Sequence, residues 1–131
     1  MKFSFIKRGL LLSVSSLVTL AAFAAETPVR LATKDSWNLA GGYSPAKEGQ
    51  RTVILLHDLG KNKETFAAFR KALSKEGIGY LALDLRGYGQ STGGGLASNF
   101  SREGVDNQFN KMTRDVDAAM EFLQKKGVQM Y

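Results

Sequence analysis

The sequence predicts an α/β fold, and three observations carry that reading. Val53–Leu56 and Tyr80–Leu83 are short apolar runs of strand-forming residues, each bounded by polar loop residues. A single amphipathic segment with helical spacing lies between them. Strand, helix and strand within about 30 residues make a βαβ unit, whose two strands run parallel and whose crossover is right-handed.

Each element has its own local grounds. Val53-Ile54-Leu55-Leu56 is continuously apolar and too short for a helix, the pattern of a strand buried on both faces. After the loop His57–Asn62, Phe66, Phe69 and Leu73 recur at helical spacing and define the expected core face. Lys63, Glu64, Arg70, Lys71 and Lys75 fall on the remaining surface. Asn62 suits the N-cap, Glu64 the first turn and Gly77 the stop. Upstream, Val29–Thr33 and Trp37–Tyr43 flank Lys34-Asp35-Ser36 and read as an antiparallel hairpin. Downstream, the glycine-rich stretch Gly87–Ser101 is a loop. It leads to Phe109, Met112, Val116, Ala119, Met120 and Leu123 at helical spacing, closed by Gly127. There is no internal repeat and no sign of a second domain.

Met1–Ala24 has a different character. Lys2, Lys7 and Arg8 form a basic head, Leu10–Leu20 is mostly apolar, and Ala22-Phe23-Ala24 offers the small residues read by a signal peptidase. This is the pattern of a secretory signal cleaved between Ala24 and Ala25, so the expected location is outside the cytoplasm, periplasmic or extracellular. The alternative is an uncleaved membrane anchor, but Gly9–Ala25 is only 17 residues with four Ser or Thr, which makes a stable span marginal; after cleavage no stable membrane span is expected. The leader accounts for three positive charges of the formal net +6. The other Lys and Arg residues alternate with acids, as in Lys63-Glu64 and Arg114-Asp115, which marks a solvated surface and not a nucleic-acid footprint. With no Cys, disulfides and thiolate metal sites are excluded; a lone His with scattered carboxylates gives no metal set either.

Function is expected where the parallel strands end. The loops His57–Asn62 and Asp84–Gly95 lie side by side at the C-terminal edge of the sheet, where open α/β sheets place their ligands. Gly87-x-Gly89-x-x-x-Gly93 follows a strand, but no helix opens behind it and there is no Walker Lys, so no nucleotide cofactor is expected.

His57-Asp58-Leu59-Gly60 after one strand and Asp84-Leu85-Arg86-Gly87-Tyr88-Gly89-Gln90-Ser91 after the next resemble the first half of an α/β-hydrolase. The nearest branch is the serine aminopeptidase and lysophospholipase-like group, whose usual wording is HGxG followed by DxRGxGxS. The resemblance implies a three-layer αβα arrangement with the strand of Tyr80–Leu83 lying between Trp37–Tyr43 and Thr52–Leu56. It implies no cofactor, and a hydrolase acting on an ester, amide or peptide bond of a small-molecule or peptide substrate through an acyl-enzyme. It also places one oxyanion-hole N–H at Leu59, two residues after the His. Asp58 departs from the family's usual Gly, and Ser36 stands where the branch often has Gly in the hairpin turn.

A serine hydrolase of this fold needs Ser, then Asp or Glu, then His in chain order. His57 precedes every candidate Ser, so none of the three catalytic groups is assigned here. The expected reading is a partial domain, 25–131, that stops before the nucleophile elbow, with its triad beyond Tyr131. Gly89-Gln90-Ser91-Thr92-Gly93 spells G-x-S-x-G but lacks the strand-to-helix context that gives the motif meaning. One rival constellation remains, with His57 as base, Asp84 as orienter and Ser91 as nucleophile; against it, His57 reads as a hydrogen-bonded structural residue. Two other function classes stand beside the hydrolase, a non-catalytic α/β binding module and an inactive truncated product.

Overall fold

The computed structural model describes residues 25–129. The signal-peptide reading of Met1–Ala24 therefore lies outside the described residues. Strand β1 (Thr27–Ala32) and strand β2 (Asn38–Ser44) form the hairpin, Ala32 facing Asn38 across its tip. Strand β3 (Thr52–Leu56) leads through a 3₁₀ turn, Lys63–Phe66, into helix α1 (Ala67–Glu76). Strand β4 (Gly79–Leu83) follows, and helix α2 (Thr113–Lys125) completes the set. The sheet order is β1-β2-β4-β3, with β3 and β4 parallel and the other pairs antiparallel. The expected position of Tyr80–Leu83 between the hairpin and Thr52–Leu56 is met.

Alternation along β4 divides the core between two faces. Leu81 and Leu83 join Leu31, Trp37, Leu39 and the α2 residues Ala118, Ala119 and Leu123. Tyr80 and Ala82 meet Leu55 and the α1 residue Leu73 on the other face. One helix covers each face, which is the three-layer arrangement.

The helix ends follow their capping chemistry. The Asn62 side chain accepts the Glu64 N–H at 2.9 Å, and Gly77 closes α1 at φ 73°, where its N–H reaches back to the last turn.

Three sequence expectations are corrected. β3 is not buried on both faces: only Leu55 is buried, and Leu56 is 39% exposed. The fully buried strand is β4, because it has neighbours on both sides while β3 pairs with β4 alone among the described residues. The core face of α1 is also turned from its expected position. Phe69 is 51% exposed, whereas Arg70 is buried at 7%. Glu26 explains the exchange: both its oxygens accept from Arg70 Nη1 at 2.8 Å, and Tyr80 donates its hydroxyl to the same carboxylate at 2.7 Å. Arg70 Nη2 also donates to Glu64 Oε2 at 2.6 Å, and a guanidinium with two such partners can be buried in place of an aromatic ring. In α2 the buried face runs through Asp115, Ala118, Ala119 and Leu123, and Met120 is exposed, because the helix is turned to bring Asp115 inward.

Candidate functional site

The loops after β3 and β4 meet at Asp84. Its Oδ1 accepts the backbone N–H of Lys63 at 2.7 Å, and its Oδ2 accepts Lys63 Nζ and the Gln90 N–H, each at 2.9 Å. Burial pushes this carboxyl up, but the Lys63 ammonium, the Lys63 N–H and the Gln90 N–H together hold it below the usual carboxylate range. Gly89 is obligatory beside it: at φ 50° any Cβ would fall 2.3 Å from Asp84 Oδ2.

Two residues further on, Arg86 is fully buried and every arm of its guanidinium is used. Nε donates to Asp115 Oδ1 at 2.8 Å, Nη1 to Asp35 Oδ2 at 2.8 Å and to Gln108 Oε1 at 3.0 Å, and Nη2 to Asp35 Oδ1 at 3.1 Å. Its backbone N–H donates to Asp115 Oδ2 at 2.9 Å, and the indole of Trp37 lies 5.4 Å from the guanidinium carbon. One side chain thus ties the β4 loop to the hairpin turn and to α2. The Arg86 guanidinium holds the Asp35 carboxyl well below its ordinary range, and the two acids keep Arg86 protonated against the cost of burial.

His57 sits at the end of β3, buried, with its ring edge-on to Tyr88 at 5.3 Å. Nδ1 lies 2.8 Å from the Asp58 carbonyl oxygen and Nε2 accepts the Leu85 N–H at 3.0 Å. A carbonyl can only accept, so Nδ1 carries the proton and the ring is the neutral tautomer. Lys61 N–H donates to the same Asp58 carbonyl at 3.1 Å, closing a turn with Gly60 at φ 76° in its third position. In a trans peptide the C=O and the next N–H point in opposite directions. Pinning the Asp58 carbonyl from two sides therefore points the Leu59 N–H out of the turn, and among the described residues it donates to no acceptor. Leu59 itself is 54% exposed. Asp58 takes its place without strain, since Ser36 (φ 69°) is the only described non-glycine residue at positive φ. That angle also shows why the hairpin turn favours Gly at Ser36.

The rival constellation is not assembled by these contacts. Ser91 is fully buried; its hydroxyl donates to the Asp84 carbonyl at 2.6 Å and accepts the Ala40 N–H at 2.8 Å. Both His57 nitrogens are engaged by Asp58 and Leu85, and the Asp84 carboxylate by Lys63 and Gln90. His57, Asp84 and Ser91 share one sheet edge, but each serves a different part of the backbone. Among the described residues no group of three or more His, Cys, Asp or Glu is placed to hold a metal ion.

Lys63, Asp35, Arg86, Gln108 and Asp115 organise this edge, and sequence reading assigned none of them a role. The sequence pattern puts Lys63 and Arg70 on the wet surface, yet the Lys63 side chain is only 12% exposed. Arg86 carried a usable signal, being a charge set directly between a buried strand and a tight glycine turn. Its acidic partners carried none, since they lie 51 and 29 residues away in the chain.

Residues 47–130 match the family model described as Serine aminopeptidase, S33. The chain belongs to this family. Solved structures agree in fold. An esterase of Pyrococcus furiosus, Pf2001, superposes with a TM-score of 0.60 at 24% identity, covering 78% of this chain and 37% of its own. An esterase of Exiguobacterium antarcticum gives 0.56 at 23%, covering 75% and 32%. The bottromycin epimerase BotH, in complex with bottromycin A2, gives 0.57 at 26%, covering 73% and 34%. The chain thus spans about a third of the length of the structures it is similar to. Among curated proteins the comparison found no match.

Among its described residues, no helix of this serine aminopeptidase family member is long and apolar enough to cross a membrane.

Proposed function

We propose that this chain provides the oxyanion-hole side of an exported serine hydrolase that cleaves an ester, amide or peptide bond. The observation that carries the reading is the unengaged Leu59 N–H at the C-terminal edge of the sheet, opposite the doubly anchored Asp58 carbonyl. When a serine hydroxyl adds to the substrate carbonyl, the oxygen becomes an anion, and a donor already pointing at that position stabilises it without reorganisation. A backbone donor leaves the side chain free to vary, which suits an exposed Leu. The serine, its base and the orienting carboxylate belong, in this reading, to residues after Tyr131, because His57, Asp84 and Ser91 are engaged in holding the loops. The basic head, apolar run and Ala22-Phe23-Ala24 of the leader support export, with the mature chain starting at Ala25.

Since BotH pairs the same fold with a different reaction, chemistry has to be tested directly. The protein expressed from its complete reading frame, with its own leader, is exposed to a fluorophosphonate that labels activated serines. Mass spectrometry then locates both the label and the N-terminus. The reading expects a labelled Ser after Tyr131 and a chain beginning at Ala25. Label on Ser91 overturns the placement of the nucleophile after Tyr131 in favour of the His57, Asp84 and Ser91 constellation; no label on folded protein overturns the hydrolase assignment, and intact Met1 in the membrane fraction overturns export.

A further inference from the structure

Residues 58–62, the segment that presents Leu59, are fastened at their two ends to two consecutive residues of the neighbouring loop, Leu85 and Asp84. At the start, His57 Nε2 accepts the Leu85 N–H; at the end, Lys63 gives both its N–H and its ammonium to Asp84. The second fastening is the stronger in kind. Asp84 is buried, Lys63 Nζ lies 2.9 Å from Oδ2, and both contacts are charge-assisted. Lys63 Nζ also lies 3.4 Å from Gln90 Oε1 and 3.8 Å from Glu64 Oε1, so the ammonium is enclosed by acceptors from the β4 loop and its own turn. Nothing in the motifs of this edge requires a Lys at that position; it follows the loop and precedes α1.

We infer that Lys63 is a positioning residue for the oxyanion-hole donor: by clamping the far end of 58–62 onto Asp84, it sets where the Leu59 N–H points. The inference rests on the hydrolase reading above. Its chemistry is indirect, since Lys63 touches no reacting atom and acts through the loop it closes. With the ammonium removed, Asp84 keeps the Lys63 and Gln90 N–H groups but loses its only cationic partner among the described residues. The Asp58–Lys61 turn then opens more often.

The test compares wild type, Lys63→Met and Lys63→Arg in the protein expressed from its complete reading frame. Two readouts are taken, amide exchange at Lys61, whose N–H closes the turn, and steady-state ester hydrolysis. Lys63→Met is expected to speed exchange at Lys61 by roughly tenfold or more, the effect of losing one charge-assisted hydrogen bond, with the Leu81–Leu83 amides unchanged. It is expected to lower kcat by roughly tenfold while KM stays within about twofold, and Lys63→Arg to restore most of both. Unchanged exchange at Lys61 in folded Lys63→Met, or faster exchange with unchanged kcat, overturns the inference. Should Lys63→Met not fold, Lys63→Gln, which keeps a neutral donor for Asp84, is read in the same way. A wild type with no turnover refutes the hydrolase reading and with it the role given to Leu59. That failure is distinguishable, because exchange at Lys61 still reports whether Lys63 closes the loop.

Discussion

Asp115 Oδ1 lies 2.8 Å from Arg86 Nε and 2.7 Å from Nη2, and neither residue is exposed at all. An ion pair so enclosed is dangerous to halve. Arg86→Met would leave the buried Asp115 without its cation, while Asp35 keeps Arg114 at 3.0 Å, at a cost of about 3–5 kcal/mol. Urea unfolding of the protein should show this directly. The double variant Arg86→Met/Asp115→Leu should lose less than the sum of the two single changes, because no lone buried charge remains. A loss below about 1 kcal/mol for Arg86→Met, the range of an exposed ion pair, would remove Arg86 from the centre of this account.

Acid should weaken the same region. Asp35 and Asp84 are both held below the ordinary carboxylate range, so the unfolded chain binds protons at a higher pH than the folded one. The stability they contribute is complete above about pH 4, the unfolded value, and is lost as pH falls towards the depressed folded values. Thermal unfolding from pH 6 downward should show Tm falling below that point. Asp35→Asn should flatten the fall, and an unchanged slope would contradict the assignment of Asp35.

Ser91→Ala separates the two meanings of its motif. The hydroxyl serves the Asp84 carbonyl and the Ala40 N–H inside the protein. Its removal should cost about 1–3 kcal/mol, the range for leaving buried polar groups unsatisfied. Ester turnover per folded molecule should be unchanged. Loss of turnover at full stability would instead make Ser91 a nucleophile.

The edge of β3 makes a further prediction. Leu56 is partly exposed beside a groove of about 430 Å³ lined by Leu85, Phe109, Met112 and Val116. An apolar strand with free backbone groups on one side invites pairing with other chains. Residues 25–131 expressed alone should therefore self-associate in sedimentation, and Leu56→Lys should reduce it. A monomer for the unaltered segment would show that the edge is tolerated.

Local chemistry was legible in the sequence, and long-range charge pairing was not. The runs Val53–Leu56 and Tyr80–Leu83, the Asn62 cap and the Gly77 stop were readable because each signal lies within a few residues. The face of α1 is mis-set at Phe69 and Arg70, since one of the two carboxylates that hold Arg70 inside, Glu26, lies 44 residues earlier, beside the nearer Glu64. Asp115 was hidden in the same way: an acid in a helix reads as solvated until Arg86 is seen beneath it. His57 was legible as a buried polar residue. That it aims the next peptide follows only from knowing which carbonyl its Nδ1 meets.

The central claim, that the Leu59 N–H stabilises a developing oxyanion, can be tested by removing that one proton. Leu59 is the second residue of the turn from Asp58 to Lys61, a position where Pro is well accommodated because its fixed φ matches the turn. Leu59→Pro therefore deletes the donor and spares the turn, while Leu59→Ala keeps the donor and trims only the side chain. In the protein expressed from its complete reading frame, kcat for ester hydrolysis should fall about 10²–10³-fold in Leu59→Pro, the range for one lost oxyanion donor. It should stay near wild type in Leu59→Ala. A folded Leu59→Pro variant with wild-type kcat would contradict the account.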